Sequence, residues 1–367
     1  MTKADEAPLA ILAAGGTGGH MFPAEALARE LMARGWRIVL ATDRRGEVYA
    51  SNFPCETRLD LDAATFRGLN PVRLARALVS NASGVMRARR AISELRPRVV
   101  VGFGGYPSLP TLIAALSARV PSVIHEQNAV LGRTNRLLAP HVGHLASGFP
   151  VLERARPADR QRNEVVGNPV RAAVLEIADL DYPDASGPLR LLVTGGSQGA
   201  RLLSLTVPKA VTLLPEALRA RLRIAQQTRP EILDEVRALY DKARVEVELA
   251  PFFSDMGSRL AEAHLVIGRA GASTCAELAV AGRPAILVPL AIAADDHQRL
   301  NAEHLRQAGA AEVISESDLT PEHLAGRLEA LLGDSEGLRA RALSARGVAM
   351  KDATARLADL VEKAARP

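Results

Sequence analysis

The chain contains few residues of the types that mark secreted, zinc-binding or nucleic-acid-binding proteins. Two of its 367 residues are cysteines, Cys55 and Cys275, and they lie far apart in the sequence. This arrangement forms neither a disulfide framework nor a zinc pattern, so it favours a reducing cytoplasm. Aromatic residues make up 3% of the chain, too few for the stacking platforms that bind single-stranded nucleic acid. We therefore expect no nucleic-acid partner.

Long hydrophobic runs are also missing. The best candidate, residues 108–124, is interrupted by Arg119, whereas a membrane-spanning helix needs about 20 mostly apolar residues. Residues 1–6 are polar and lack the apolar core of a signal peptide. We expect a soluble protein that is able to sit on a membrane surface.

Positive charge is concentrated in the first half of the chain. Residues 1–160 contain 21 Lys and Arg against 13 Asp and Glu, while the remainder contains 25 against 28. Within residues 67–98, arginines alternate with apolar residues and Glu94 is the single acid. A basic amphipathic stretch of this kind favours an anionic lipid surface. The alternative is an arginine-rich helix that faces water.

Two glycine-rich turns, one in each half, are the most informative motifs. Residues 14–20 read Ala-Gly-Gly-Thr-Gly-Gly-His and residues 194–200 read Thr-Gly-Gly-Ser-Gln-Gly-Ala. Each follows a short apolar run and precedes a helix-like run, which is the phosphate-binding corner of a Rossmann-like unit. Neither turn matches a P-loop, and Met21 stands where a dinucleotide fingerprint needs its last glycine.

Strand-like and helix-like segments alternate throughout both halves, which predicts an α/β fold with two doubly wound parallel sheets. We place an N-terminal domain at 1–168, a second domain at 169–345, and a C-terminal helix at 346–367 that packs back on the first domain. The two glycine-rich corners predict that the domains face one cleft holding a phosphate-bearing ligand. The first helix is expected at 22–34, and residues 335–365 are expected to be helical.

Polar residues in the first half mark a candidate active site. His20 follows the first glycine-rich turn at a helix start, where the helix dipole favours a neutral imidazole able to act as a general base. His125-Glu126-Gln127-Asn128 ends one predicted strand, and Gly104-Gly105-Tyr106 follows the neighbouring strand. Open α/β sheets bind ligands at these strand ends. The alternative for His20 is a residue that only caps the turn.

The second half offers a matching set of polar positions. Residues 268–277 form a small-residue helix start that is suited to anions, with Glu277 placed to accept from ribose hydroxyls. Asp295-Asp296-His297-Gln298 offers polar contacts to a sugar. The Asp-x-Asp triplets at 60–62 and 179–181 lie beside neither turn, so we predict no metal site.

Taken together in this order, the motifs resemble those of the MurG family of N-acetylglucosaminyltransferases, which make lipid II for peptidoglycan. The resemblance covers nearly the whole chain and rests on seven motifs: G-G-T-G-G-H at 15–20, F-G-G-Y at 103–106, H-E-Q-N at 125–128, G-N-P-V-R at 167–171, G-G-S-Q-G-A at 195–200, R-A-G-A-S-T-C-A-E at 269–277 and D-D-H-Q at 295–298.

The resemblance implies a GT-B fold, UDP-N-acetylglucosamine (UDP-GlcNAc) as donor and lipid I (undecaprenyl-diphospho-MurNAc-pentapeptide) as acceptor. It implies a β-1,4 linkage formed with inversion, with no cofactor and no tightly bound metal. It further implies a peripheral protein on the cytoplasmic face of the inner membrane, acting in cell-wall synthesis, cell shape and division, with cell-wall and division proteins as partners.

Site residues follow from the resemblance position by position. His20 is the expected base, with Glu126 as its rival, and Gly104, Gly105 and Tyr106 face the acceptor and its diphosphate. The expected donor-binding residues are Thr17, Gly18, Gly19, Asn128, Arg171, Ser197, Gln198, Phe253, Ala272, Ser273, Thr274, Glu277 and Gln298. Phe253 and the apolar loop 290–293 depart from the family pattern.

Two other enzymes keep a similar fold and donor. One is a related GT-B lipid glycosyltransferase of the diacylglycerol type, which would not share the H-E-Q-N motif. The other is a GT-B-like UDP-GlcNAc 2-epimerase, which needs neither a lipid acceptor nor a basic amphipathic face. A membrane scaffold without activity is a third alternative, against which His20 and Glu277 argue.

Overall fold

The computed structural model describes residues 7–16, 18–43, 53–61, 71–196 and 201–366. The chain divides into two compact units, the first comprising residues up to Val170 and from Asp352 onward, the second Arg171–Lys351. The boundaries expected from the sequence were 168/169 and 345/346. The first observed boundary, between Val170 and Arg171, lies two residues later than expected. The second, between Lys351 and Asp352, lies six residues later, because the helix Ser335–Gly347 belongs to the second unit.

Both sheets are parallel throughout their described strands. The strands of the first unit are β1 (Leu9–Ala13), β2 (Arg37–Thr42), β3 (Thr57–Asp60), β4 (Val99–Gly102), β5 (Ser122–Glu126), β6 (His144–Ser147) and β7 (Asn163–Val165). Those of the second are β8 (Leu189–Thr194), β9 (Leu222–Gln227), β10 (Glu246–Ala250), β11 (Leu265–Gly268), β12 (Ala285–Leu287) and β13 (Ala311–Val313). Their orders are β3-β2-β1-β4-β5-β6-β7 and β10-β9-β8-β11-β12-β13. The predicted fold class, with two Rossmann-like sheets of the GT-B type, is confirmed.

Helices connect the strands in both units. In chain order the described α-helices are α1 (Gly18–Ala33), α2 (Pro71–Leu95), α3 (Ser108–Ser117), α4 (Arg133–Leu138), α5 (Pro157–Gln161), α6 (Ala172–Leu175), α7 (Arg201–Leu213), α8 (Glu216–Arg221), α9 (Leu233–Ala243), α10 (Met256–Glu262), α11 (Ala272–Ala281), α12 (His297–Gln307), α13 (Pro321–Leu332), α14 (Ser335–Gly347) and α15 (Ala353–Ala364). Every residue of β1 and β4 is buried, as expected for apolar strands covered on both faces.

Strand register brings the candidate loops together. Ala13 at the end of β1 pairs with Gly102 at the end of β4, and Gly102 pairs with Ile124 of β5. In the second sheet, Thr194 pairs with Gly268. The order of each sheet reverses between β1 and β4 and between β8 and β11, and such switch points are where open α/β sheets bind ligands.

Two helical segments differ from the expectation. Helix α1 begins at Gly18, one turn before the predicted residue 22, so His20 lies inside its first turn. Pro23 is favoured near a helix start, but the helix extends upstream of it through Gly18 and Gly19. The predicted helical tail is two helices, α14 and α15, separated by residues 348–352.

Helix α15 packs within the first unit. Leu357 and Val361 are buried in the same core as α1. Arg34 donates to Glu362 over 3.0 Å, and the indole of Trp36 donates to the same carboxylate over 3.1 Å. These contacts tie the end of the chain to the helix that carries His20.

Candidate active site

The first glycine-rich turn is shaped by close contacts that only glycine permits. A Cβ on Gly15 would lie 2.7 Å from Pro107 Cγ and 2.8 Å from the Asp43 carboxylate. Gly16 has a φ of +85°, a left-handed conformation that favours glycine. The turn therefore brings backbone close to the loop after β4, and helix α1 starts directly beyond it.

The loop after β4 lies against His20. Gly104 and Gly105 have φ values of +82° and +72°. A Cβ on Gly104 would lie 3.3 Å from His20 Cε1, and one on Gly105 would lie 3.5 Å from Cδ2 and 2.9 Å from the Gly15 carbonyl. The structure thus brings together His20 and the Gly104-Gly105-Tyr106 loop, and side chains at the two glycines would crowd the imidazole.

His20 begins a chain of buried hydrogen bonds. Its Nδ1 lies 2.9 Å from Gln127 Oε1, and Gln127 Nε2 lies 3.0 Å from His125 Nδ1. His125 Nε2 lies 2.9 Å from the carbonyl oxygen of Gly167. Sequence reasoning included His125 and Gln127 in a motif but assigned no role to either. Their position at the end of β5, where buried polar residues are costly unless hydrogen-bonded, was the available signal.

Complete burial lowers the pKa of His125 to about 4, although its hydrogen bond to Gly167 opposes the shift. The imidazole is therefore neutral at physiological pH. Burial likewise lowers the pKa of His264 in the second unit, where Arg190 N donates to its Nδ1.

The buried His125 predicts a loss of stability in mild acid. Between the ordinary histidine pKa of about 6.5 and the folded value, the unfolded chain binds a proton that the folded chain does not. The free energy of unfolding should therefore fall as pH is lowered through this window, by at most about 3 kcal/mol from this group. Urea titrations monitored by the fluorescence of Trp36, the single tryptophan, will report on the first unit. His125→Asn should flatten the profile and His141→Asn should not; equal profiles for parent and His125→Asn would contradict the prediction.

Glu126, the rival base, is engaged on both carboxylate oxygens. Asn128 donates from its backbone N (3.0 Å) and Nδ2 (3.1 Å) to Oε1, while Gly132 N (2.9 Å) and Asn135 Nδ2 (2.8 Å) donate to Oε2. The side chain is 2% exposed. Four donors match the acceptor capacity of a carboxylate, so Glu126 organises the loop that leads into α4. Asn135, which sequence reasoning missed, is part of this arrangement.

In the second unit, a bidentate ion pair lies beside the start of α11. Arg171 Nε and Nη2 donate to the two oxygens of Glu277, each over 2.7 Å. Glu277 is 8% exposed and lies in α11, which begins at Ala272 after Gly271. A planar guanidinium matches a carboxylate in this geometry. The structure thus brings two predicted donor residues into direct contact beside the helix start that contains Ser273 and Thr274.

Hydrogen bonds hold the loop after β12. Gln298 Oε1 accepts from Leu290 N over 3.0 Å. The Glu316 carboxylate accepts from Ala291 N (3.0 Å) and from Arg269 Nη2 (2.5 Å). Gln298 therefore positions this apolar loop.

The remaining predicted donor residues fall into three groups. Gly18 and Gly19 form the start of α1, beside His20. Phe253 is buried, with the Arg259 guanidinium 3.9 Å from its ring centroid, so its side chain serves packing. Three predicted donor residues lie outside the described residues: Thr17, Ser197 and Gln198.

Comparison with known proteins defines the class. Residues 10–146 match the glycosyltransferase family 28 N-terminal domain, and residues 190–357 match the family 28 C-terminal domain. The chain is therefore a glycosyltransferase of family 28. Its two units, each built on one sheet, correspond to the N-terminal and C-terminal domains of that family.

Full-length relatives narrow the class. The chain is 57% identical to the UDP-N-acetylglucosamine–N-acetylmuramyl-(pentapeptide) pyrophosphoryl-undecaprenol N-acetylglucosamine transferase of Caulobacter vibrioides strain NA1000, over 98% of this chain and 99% of the relative. It is also 57% identical to the transferase of the same name from Phenylobacterium zucineum, over 97% and 98%. The chain belongs to the MurG family of N-acetylglucosamine transferases.

Solved structures agree with this assignment. The crystal structure of Acinetobacter baumannii MurG is 32% identical, with a TM-score of 0.79 over 97% of this chain and 99% of that chain. A UDP-N-acetylglucosamine 2-epimerase is similar over 96% and 94%, with a TM-score of 0.63 but 14% identity, and so shares the fold alone.

Proposed function

We propose that the chain transfers GlcNAc from UDP-GlcNAc to the 4-hydroxyl of lipid I, forming lipid II in peptidoglycan synthesis. The observation that supports this most strongly is 57% identity over nearly the full length of transferases that bear this name. The same identity makes the diacylglycerol glycosyltransferase and the epimerase less favoured, and the similarity to the epimerase structure is confined to the fold.

The chemistry requires a base, which we assign to the first unit. The muramyl O4 attacks the anomeric carbon of GlcNAc, the bond from that carbon to the β-phosphate oxygen breaks, and UDP leaves with the electron pair. The hydroxyl proton passes to His20, whose ring lies at the start of α1 beside Gly104 and Gly105. We assign the base to His20 rather than Glu126, because the Glu126 carboxylate already accepts four hydrogen bonds.

Donor binding is assigned mainly to the second unit. The start of α11 presents backbone N–H groups suited to an anion, and such groups stabilise a departing diphosphate. Arg171 and Glu277 lie beside it, with Glu277 accepting from ribose hydroxyls through lone pairs that its ion pair leaves available. Thr17, Ser197, Gln198 and the other predicted donor residues keep their proposed roles.

We expect chelation of divalent metals to leave activity largely intact. Asp179 of one Asp-x-Asp triplet is paired with Lys351 over 2.5 Å, and Asp60 of the other is paired with Arg58 over 2.9 Å. Helix N-termini then supply the electrostatic stabilisation of UDP. Initial rates with and without EDTA test this, and abolition of activity with rescue by Mn²⁺ or Mg²⁺ would contradict it.

The first unit also supports a proposed membrane-binding face. Val79 and Met86, one heptad apart on α2, are 71% and 73% exposed, and Arg87, Arg89 and Arg90 follow on the same helix. No helix within the described ranges is long and apolar enough to cross a bilayer. We propose peripheral binding to anionic lipid at the cytoplasmic face of the inner membrane. Cell-wall and division proteins are the partners proposed there, with roles in cell shape and division.

Replacing Arg87, Arg89 and Arg90 with Gln should reduce sedimentation with anionic liposomes while UDP affinity stays unchanged. Each arginine near an anionic surface contributes about 1 kcal/mol, and salt screens this contribution. A matched control changes the exposed Arg221, Arg237 and Arg306 of the second unit to Gln. Equal sedimentation of the α2 variant and the parent would indicate instead that α2 is a helix that faces water.

The function itself is tested by comparing acceptors. Labelled UDP-GlcNAc is incubated with the protein and lipid I, with diacylglycerol, or with no acceptor. We expect labelled lipid product with lipid I alone. Transfer to diacylglycerol, or conversion of the label to an N-acetylmannosamine sugar without acceptor, would support the corresponding alternative instead.

A further inference from the structure

The hydrogen-bond chain behind His20 specifies which ring nitrogen is available for proton transfer. We propose that His125 and Gln127 are positioning residues that hold His20 in its Nδ1–H tautomer, leaving the lone pair on Nε2. This inference rests on the proposed function for its catalytic meaning, while the tautomer can be measured independently of activity.

The far end of the chain sets the first proton. The Gly167 carbonyl oxygen can only accept, so His125 Nε2, at 2.9 Å, must carry a hydrogen and donate. His125 is fully buried and neutral, because burial lowers the pKa of its imidazole to about 4. A neutral ring with a hydrogen on Nε2 has an acceptor at Nδ1.

The donor and acceptor positions on His125 fix the orientation of the Gln127 amide. Its Nε2 lies 3.0 Å from His125 Nδ1 and 2.9 Å from the His125 carbonyl oxygen. Both are acceptors, so only the NH₂ end of the amide fits there. Asn168 Nδ2 donates to the Gln127 carbonyl over 2.8 Å and holds the backbone. The amide oxygen must then face His20.

The near end of the chain fixes His20. Gln127 Oε1 can only accept, so His20 Nδ1, at 2.9 Å, must be the donor. In the neutral form of the ring, the basic lone pair is then on Nε2, the nitrogen between Cε1 and Cδ2. Among the described residues Nε2 has no hydrogen-bond partner. In the opposite tautomer, two lone pairs would face each other between His20 and Gln127.

The arrangement performs the role that an orienting group performs for any catalytic histidine, which is to select the tautomer and hold the ring. It uses a neutral amide and a neutral imidazole in place of a carboxylate. The groups that orient His20 therefore carry no negative charge themselves, at a site where the acceptor's diphosphate is expected.

Nitrogen NMR of protein labelled with ¹⁵N-histidine tests the proposal directly. In the parent protein, the neutral His20 should show an unprotonated Nε2 and a protonated Nδ1, with the signals assigned by their loss in His20→Gln. A neutral His20 that carries its hydrogen on Nε2 in the parent would overturn the proposal.

Gln127→Met removes the amide at similar volume. Free imidazoles of histidine prefer hydrogen on Nε2, so His20 should shift toward that tautomer, and kcat should fall roughly 10- to 100-fold, less than for loss of the base, with the KM for UDP-GlcNAc unchanged. Gln226→Met is the matched control, because Gln226 is an equally buried, hydrogen-bonded glutamine in the second unit. It should leave the His20 signals unchanged.

The outcomes separate the two proposals. If Gln127→Met folds and His20 keeps its Nδ1–H tautomer, the positioning role is wrong even when transfer to lipid I is observed. If the parent does not glycosylate lipid I but shows the expected tautomer that Gln127→Met loses, the hydrogen-bond chain stands and the proposed function fails.

Discussion

His20→Ala is expected to lower kcat by about 10²- to 10⁴-fold, which is the range that a positioned general base contributes. The ring lies in the first turn of α1, beside the Gly104-Gly105 loop, and its Nδ1 is held by Gln127. UDP affinity should remain nearly unchanged, because most of the proposed donor contacts lie in the second unit. Steady-state kinetics with lipid I and calorimetry with UDP measure the two quantities separately.

A matched control keeps this result specific. His144→Ala removes a partly buried histidine from the same unit, at the start of β6, and should keep parental turnover. Near-parental kcat in His20→Ala, or loss mainly of UDP affinity, would make His20 a residue that caps the glycine-rich turn. Glu126→Gln would then become the variant to measure.

Glu277→Ala is expected to weaken UDP binding by about 1–3 kcal/mol, the cost of losing a hydrogen bond to a charged group. That corresponds to roughly 5- to 150-fold in Kd. The side chain is largely buried beside the α11 start, where its carboxylate is already oriented by Arg171. Preorganisation by the guanidinium means that Arg171→Ala should also weaken binding, and calorimetry with UDP measures both.

The two variants should not be additive, because the residues are in direct contact and share one network. Glu312→Ala provides a control, since it breaks a comparable bidentate pair with Arg327 in the same unit. We expect the control to keep parental UDP affinity. Unchanged affinity in Glu277→Ala would make the Arg171–Glu277 pair a structural ion pair.

Much of the fold was predictable because the central parallel strands consist mainly of buried apolar residues. The runs at Leu9–Ala13 and Leu189–Thr194 are bounded by glycine-rich turns, so strand, turn and helix were each signalled locally. The family resemblance implied that His20 and the Gly104-Gly105 loop both face the acceptor. They lie together because they follow β1 and β4, and parallel strands end at one edge of a sheet. The first turn of α1 was missed because Pro23 resembles a helix start.

The details of the site were less accessible to sequence reasoning. Glu126 was a plausible base from its position at the end of β5. However, Gly132 and Asn135, which follow in the sequence, donate hydrogen bonds to its carboxylate, and no periodic pattern in the sequence indicates these contacts. The tautomer of His20 depends on the Gly167 carbonyl, far away in sequence, through two intervening side chains. Such chains of donors and acceptors are set by three-dimensional contacts. The catalytic and donor-binding roles remain predictions for the variants above.

The measurement that tests the central proposal most directly is the structure of the product. The protein is incubated with UDP-GlcNAc labelled with ¹³C at the anomeric carbon and with lipid I, and the product is examined by NMR. We predict a β-configured labelled carbon bonded to O4 of the muramyl residue, with release of UDP. An α-linkage, attachment elsewhere on the acceptor, or label that appears only in an epimerised sugar would contradict inverting transfer to lipid I.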